Sequence, residues 1–208
     1  MWLYMKEEIK IKNYKIFKNK FQMIIYCILF ITFIVLFIII GKTNFVEEKK
    51  DDFKFNKEFP MVEKDNVFKY INAVEANDIV KNGQGIILFG HSNNKWVEYY
   101  ANLVNKVAKN TGIKKIYYYD ILDDRKNNNA TYEDMISKLD KYVYTNDLGK
   151  KEIYSPTLLI MNKGKVILFD TDTNFIQGKI TPKEYYGEYK FNIKYNELVT
   201  IFEEYLKG

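Results

Sequence analysis

The side chains best suited to nucleophilic, redox or metal chemistry are scarce in this sequence, which has one cysteine, Cys27, and one histidine, His91. A single cysteine cannot form a disulfide within the chain, and two such residues cannot build a cysteine-clustered or histidine-rich metal site. His91 falls in a turn before a predicted helix. It is suited to sensing pH or binding a ligand, or it is simply solvated, and the sequence leaves these interpretations open.

Carboxylates offer little more. Residues 170–174 (DTDTN) imitate the start of a calcium-binding loop. Position six of that loop is Phe175 instead of glycine, and position twelve is Thr181 instead of glutamate, so no calcium site is predicted. We therefore expect no metal and no cofactor. Three acids that end a predicted strand are interpreted as loop caps: Asp120, Asp123 and Asp124.

The charge of the chain is concentrated in its first 42 residues, which carry seven lysines and two acids. The other 166 residues carry 25 basic and 25 acidic groups, so the formal net charge of +5 belongs to the N-terminus. Nucleic-acid-binding proteins usually need a basic patch to meet phosphates. The balanced charge of residues 43–208 therefore argues against a nucleic-acid partner.

An apolar run begins at Met23 and ends at Ile40, with no charged residue among its 18 positions. As a helix it would extend about 27 Å, close to the ~30 Å hydrocarbon core of a bilayer. The run is longer than the ~7–15 apolar residues of a cleaved signal peptide and lacks a small-residue cleavage site. The sequence predicts an uncleaved transmembrane helix at 22–41, with Cys27 inert in mid-span.

This helix implies four regions. Residues 1–21 form a basic cytoplasmic N-terminus, 22–41 the span, 42–61 a solvated linker and 62–208 a folded domain. Six lysines precede the span, which favours a cytoplasmic N-terminus by the positive-inside rule. We thus expect a single-pass protein of the cell membrane, in contact with lipid, whose C-terminal domain is extracytoplasmic.

The elements of residues 62–208 alternate between strand and helix patterns. The unbroken apolar run Gly85–Gly90 is typical of a strand covered on both faces, and Asn72 with Glu75 forms a capping box at a helix start. We predict strands at 66–71, 85–90, 115–122, 157–161 and 166–170, and helices at 72–81, 93–110, 131–142 and 194–207. The order predicts an α/β domain with a mixed four- to five-stranded sheet and helices on both faces.

Three segments of this order resemble the thioredoxin fold. Residues 88–97 (LFGHSNNKWV) fill the strand–turn–helix that carries Cys-x-x-Cys, residues 114–121 (KKIYYYDI) match the following strand, and Ser155-Pro156 matches the cis-proline. The resemblance covers 62–208, about 70% of the chain. The chain most resembles the thioredoxin-like proteins of low-GC Gram-positive bacteria, of the bacteriocin transport accessory type. It implies a thioredoxin-like fold and a cis Ser155–Pro156 bond facing the site.

The chain departs from this family at the catalytic motif, where Asn94-Lys95-Trp96-Val97 replaces Cys-x-x-Cys. Thiol–disulfide exchange needs a thiolate, which neither an amide nor an isopropyl group supplies. The buried acid that assists many thioredoxins falls at Leu88. Dithiol oxidoreductase activity is therefore not expected.

Two interpretations of the altered motif remain open. In the first, the helix N-terminus and the backbone before the proline form a groove that docks a protein or peptide client by strand addition, with Trp96 exposed. In the second, Trp96 folds back onto neighbouring loops and the site is a relic. The groove of the first interpretation is lined by Lys95, Trp96, Tyr154, Ser155 and Pro156.

Two functions of different classes follow. The first is a membrane-tethered, non-catalytic binding or export-associated module at the cell surface, as the resemblance implies. The second is an enzyme that works with a partner's cysteines or uses His91 in a non-thiol activity. The sequence does not identify the client.

Overall fold

The computed structural model of the chain describes residues 22–38, 50–171 and 176–208. The chain divides into two compact units, Met1–Glu47 and Glu48–Gly208. In the first unit, residues 22–38 are helical and their apolar side chains are exposed.

The predicted membrane span is overturned by the structure. Among the residues that it describes, no helix is both long and apolar enough to cross a membrane. The predictions of a transmembrane helix at 22–41 and of a single-pass cell-membrane location are therefore wrong. Residues 39–41 lie outside the described part of the chain.

The second unit is a mixed α/β structure. Its strands are β1 Phe68–Tyr70, β2 Gly85–Gly90, β3 Ile116–Asp120, β4 Tyr144–Thr145, β5 Lys151–Glu152, β6 Thr157–Asn162 and β7 Lys165–Asp170. Its helices are α1 50–58, α2 Ala73–Asn82, α3 Lys95–Thr111, α4 Leu122–Lys126, α5 Ala130–Lys138, α6 Pro182–Tyr185 and α7 Glu188–Lys207.

Five strands form one sheet in the order β1-β3-β2-β6-β7. The first three are parallel, and β6 and β7 are antiparallel to their neighbours, so the sheet is mixed as predicted. The strands β4 and β5 form a separate two-stranded hairpin.

Alternate residues of the central strand β2 serve the two faces of the sheet. Ile86 and Leu88 pack in a core with α1, α3 and α7, whereas Ile87 and Phe89 pack in a second core with α2 and α5. All four side chains are at most 2% exposed. Because side chains of a strand alternate between faces, an unbroken apolar run is what a strand between two helical layers requires.

The capping box predicted at α2 is confirmed. The Asn72 side chain accepts hydrogen bonds from the backbone N–H groups of Val74 (2.9 Å) and Glu75 (3.1 Å), and the Glu75 carboxylate accepts from the Asn72 N–H (2.9 Å). These bonds satisfy donors that no preceding turn can reach.

Residues 50–60 differ from the expected solvated linker. They form α1 and its C-terminal extension, in which Phe55 and Phe59 are at most 1% exposed. The Phe55 ring stacks on Phe68 at 4.1 Å between centroids and meets Tyr118 edge-on at 5.0 Å. The many charged residues of this segment favoured a solvated linker, although its two buried phenylalanines stand at helical spacing (i, i+4).

The segments after β3 and β7 also contain helices that the sequence pattern did not indicate. The helix α4 follows β3, and α6 lies in the segment that was expected to be a loop of about 20 residues. The last helix, α7, begins at Glu188, earlier than the predicted start at Lys194. Neither short helix contains a buried residue, so neither has an inward apolar stripe that its sequence could show.

Candidate functional site

The motif position lies where β2 gives way to α3. The Asn94 side chain caps α3, because its Oδ1 accepts from the backbone N–H of Trp96 at 2.9 Å. An N-cap amide satisfies one of the orphan donors of the first turn. The residue that stands where the resemblance places the first cysteine is thus committed to holding the helix start.

The same amide contacts His91 on its other side. Asn94 Nδ2 lies 3.0 Å from His91 Nε2, and His91 Nδ1 lies 2.9 Å from the carbonyl oxygen of Ser92. A carbonyl only accepts, so Nδ1 carries the proton and Nε2 accepts from the Asn94 amide. This assigns a neutral imidazole whose two nitrogens are both used within the loop.

Asp120, at the end of β3, fixes the motif loop from the neighbouring strand. Its carboxylate accepts from the backbone N–H of Ser92 and from that of Leu122, each at 3.1 Å. Asp124 accepts from the Tyr119 hydroxyl at 2.6 Å. Asp120 therefore caps the loop as expected.

Trp96 is buried, only 8% exposed, and the expectation of an exposed aromatic is wrong. Its ring lies 5.7 Å from Tyr185 and 6.4 Å from Tyr186, measured between ring centroids. The unexpected helix α6 ends at Tyr185 and is capped by Tyr186, so it brings both tyrosines to Trp96. The interpretation in which Trp96 folds back onto a neighbouring segment is the one that describes its position.

Val97 occupies the third position of α3, one turn after the cap, and is fully buried. It packs so closely on β2 that a Cβ added at Gly90 would lie 2.9 Å from Val97 Cγ1 and 2.8 Å from Tyr118 Cε2. The glycine that ends β2 is thus required by this close approach. The place of the second cysteine is filled by a core side chain.

Lys95 and Glu98 form the first turn's ion pair. Lys95 is exposed, whereas the Glu98 side chain is buried and also accepts from the backbone N–H of Met61 at 3.0 Å. The hydrogen bond to Glu98 raises the pKa of Lys95. A small cavity of about 130 Å³ lies here between α1 and the start of α3. The sequence analysis missed Glu98, and its position in the first turn of a helix was the available signal.

The Ser155–Pro156 bond is cis, as predicted. Thr157 pairs with Phe89 across the sheet, so the proline loop and the motif loop lie at the same end of neighbouring strands. Ser155 and Pro156 are buried, and Tyr154 is half-buried. The expected groove thus keeps Lys95 and Tyr154 as its accessible side chains.

The main chain of the proline loop is already engaged. The Ser155 carbonyl accepts from Gln177 Nε2 at 2.8 Å, and the Tyr154 carbonyl accepts from Thr157 Oγ1 at 2.8 Å. A partner that adds a strand here must displace the Gln177 amide.

Leu88, where thioredoxins carry a buried acid, is fully buried in the apolar core. A different buried acid, Asp170, lies at the end of β7 and accepts a hydrogen bond from the Tyr100 hydroxyl of α3. Lys194 Nζ lies 2.9 Å from the same carboxylate and compensates its charge. A terminal aspartate on an apolar strand was the sequence signal for this cluster.

The calcium-like segment lies partly outside the described residues, which omit 172–175. Within the described ranges, no group of three or more metal-ligating side chains is arranged to hold an ion.

No family model matches this sequence. No curated protein matches it significantly either.

Proposed function

We propose that this chain is a thioredoxin-like protein without redox activity, which binds a protein or peptide non-covalently. The observation that carries the proposal is the use of the motif position at the start of α3. The Asn94 amide caps the helix and Val97 is fully buried, so both places where thioredoxins have thiols serve the fold. The one cysteine, Cys27, belongs to the N-terminal unit and has no second cysteine in the chain to pair with.

Strand addition at the proline loop is the binding mode that these residues favour. In this mode the partner's extended main chain supplies hydrogen bonds, and no thiol is needed. The Ser155 carbonyl oxygen accepts a hydrogen bond from the Gln177 side-chain amide, which shows that a donor can reach this oxygen. A backbone N–H of the partner would compete with Gln177 for the same oxygen. Lys95 and Tyr154 remain accessible at the same end of the sheet to contact the partner's side chains.

An insulin-reduction assay tests the non-redox half of the proposal. The full chain and its Cys27→Ser variant are expected to give the same background rate, because thiol exchange needs a thiolate and a second thiol to resolve the mixed disulfide. Turnover by the full chain that disappears in the Cys27→Ser variant would instead support an enzyme that acts with a partner's cysteines.

Site-specific photo-crosslinking tests the binding half. The photo-reactive group belongs at position 154, since position 96 is buried, and the matched control position is Leu148, which is 91% exposed. Position 154 should capture a discrete protein that position 148 does not, with greater yield when Gln177→Ala frees the Ser155 carbonyl. Equal capture at both positions, or no effect of Gln177→Ala, contradicts docking at the proline loop.

A further inference from the structure

A second concave surface lies at the opposite end of the sheet from the motif loop. It has a volume of about 770 Å³ and lies between the C-terminal ends of α2 and α5 and the turn that joins β6 to β7. Met161 contributes to it and pairs with Gly85, the first residue of β2, whereas the motif follows the last residue of β2. We call this surface the lysine groove after its four lysines: Lys81, Lys138, Lys141 and Lys165.

The lysine groove carries an excess of positive charge. Its one acid, Asp140, is paired with Lys151 at 2.5 Å, and Asp134 beside it bridges Lys138 and Lys81. Counting these neighbours, five lysines face two aspartates. Within the part of the chain that the structure describes, Lys141 and Lys165 form no ion pair and are exposed. This local excess stands out because the chain beyond residue 42 is neutral overall.

Helix chemistry explains only half of these lysines. Lys81 and Lys138 lie in the last turns of α2 and α5, where a cation is favourable beside the negative end of the helix dipole. Lys141 lies beyond the end of α5, and Lys165 begins β7. Neither lies in the last turn of a helix, so the helix dipole accounts for only two of the four lysines.

The floor of the groove is apolar. Val80, Leu139 and Met161 line it and belong to the second core, and a methionine adapts readily to a bound side chain. Tyr142 forms the rim, is 41% exposed, and lies 5.9 Å from the Phe169 ring. The groove therefore offers apolar and aromatic contacts together with four cations.

We propose that the lysine groove binds an acidic peptide segment of a partner protein, with one apolar side chain of that segment seated against Tyr142. Nucleic acid fits the groove less well, because Asp140 lies inside it, no arginine offers a bidentate phosphate contact, and the floor is apolar. The groove and the proline loop lie at opposite ends of the sheet, so a change at one leaves the other intact.

Peptide selection on the full chain tests this assignment. A random dodecapeptide library displayed on phage is panned against the immobilised protein, and the enriched peptide is resynthesised with a fluorophore for anisotropy. We expect enriched sequences that combine several Asp or Glu residues with an aliphatic or aromatic residue. Raising the salt from about 0.1 M to about 1 M should weaken binding severalfold, since screening shortens the Debye length from about 10 Å to about 3 Å.

Paired charge reversals locate the binding. The double variant Lys141→Glu with Lys165→Glu should lower the affinity for the peptide by at least about tenfold, roughly 1.4 kcal/mol. The control, Lys183→Glu with Lys207→Glu, makes the same change of net charge at exposed residues elsewhere and should have little effect. Tyr142→Ala should also lower the affinity for the peptide, while the salt dependence of binding should stay unchanged.

Several results overturn the inference. They are the absence of enriched peptides, enrichment without acidic residues, equal loss with both lysine pairs, and displacement of the peptide by poly(U) at lower concentration than by an unlabelled acidic peptide. Photo-crosslinking at position 154 is unaffected by any of these results, so failure here is distinguishable from failure of docking at the proline loop.

Discussion

Asn94 uses both ends of its amide, since Oδ1 caps α3 and Nδ2 donates to His91. Asn94→Ala removes both contacts and should lower the free energy of unfolding by about 1 kcal/mol, within the ~0.5–2 kcal/mol range of lost N-caps. Asn94→Ser keeps a capping oxygen but cannot reach His91 in the same way. If the cap dominates, the free energy of unfolding in urea should be close to the wild-type value for the serine variant. An equal loss in both variants would assign the stability to the histidine contact.

Glu98 and Lys95 form one ion pair whose partners lie in very different environments. The Glu98 side chain is 4% exposed and Lys95 is 71% exposed. Loss of the Lys95 ammonium leaves the Glu98 carboxylate with its hydrogen bond from the Met61 N–H, whereas loss of the carboxylate removes both contacts. The buried carboxylate also holds the Met61 N–H, which no other described side chain is seen to accept.

Opposite truncations of this pair should therefore have unequal effects. Glu98→Ala removes the charged acceptor of the Met61 N–H and should cost about 1.5–3 kcal/mol, the usual range for a hydrogen bond to a charged group. Lys95→Met keeps the aliphatic part of the side chain and leaves the Met61 hydrogen bond in place, so it should cost less than Glu98→Ala. Chemical denaturation of both variants measures the difference. Equal losses would mean that the Coulombic attraction, not the Met61 hydrogen bond, stabilises this corner.

At the scale of elements, the pattern of apolar residues was sufficient to predict the helices and strands that pack against the core over most of their length. The strand β2 and the helices α2 and α3 agree with prediction within two residues, because each carries either an unbroken apolar run or a repeated inward stripe. The helix α1 was missed, since its lysines and acids suggested a solvated segment while only Phe55 and Phe59 face the core. Two inward residues are too few to mark a helix by periodicity.

The contribution of α1 to the fold can be measured with two phenylalanines of the same helix. Phe55 is fully buried against Phe68 and Tyr118, whereas Phe53 is 64% exposed. Phe55→Ala should cost about 3–5 kcal/mol, as for other buried aromatics, and Phe53→Ala should cost almost nothing. Thermal and urea unfolding of both variants provide the comparison. Similar stabilities would show that α1 is dispensable to the sheet that it covers.

The candidate site was less predictable than the elements that hold it. Local sequence places Asn94 at a helix start, because an asparagine after a strand and turn is a preferred N-cap. The burial of Trp96 depends on Tyr185 and Tyr186, which a short helix brings from the far end of the domain. The engagement of the Ser155 carbonyl depends likewise on Gln177. Contacts between segments that are distant in the chain cannot be predicted from the spacing of residues within one segment.

At the scale of the whole molecule, the second unit places different surfaces at the two ends of one sheet. The motif and proline loops meet at one end, and the lysine groove opens at the other. The two helical layers bury both faces of the central strands, so these ends and the helix surfaces are what remains for partners. Both binding surfaces proposed for this unit lie at the sheet ends.

The proposed register of this unit against the thioredoxin fold can be tested by introducing thiols at the two positions where the resemblance places cysteines, 94 and 97. In a Cys27→Ser background, Asn94→Cys places a sulfur at the N-cap of α3, and Val97→Cys places a second one a turn later. Side chains three residues apart share a face of a helix, so the two thiols should form a disulfide under mild oxidation. The buried site at position 97 accepts a thiol, which behaves as a small apolar group.

The restored pair should also gain weak insulin reductase activity. The first thiol would lie beside the free N–H groups of α3 and the Lys95 cation, which favour a thiolate and should lower its pKa below the ordinary ~8.5. Turnover should stay slow because Leu88 provides no acid to relay the proton. Free-thiol titration, insulin turnover and the pH dependence of alkylation measure these three properties, and each single-cysteine variant serves as a control without turnover. If the two thiols fail to pair, or the thiol at position 94 is alkylated with an ordinary pH dependence, the alignment with the thioredoxin motif is wrong, and docking at the proline loop loses its structural basis.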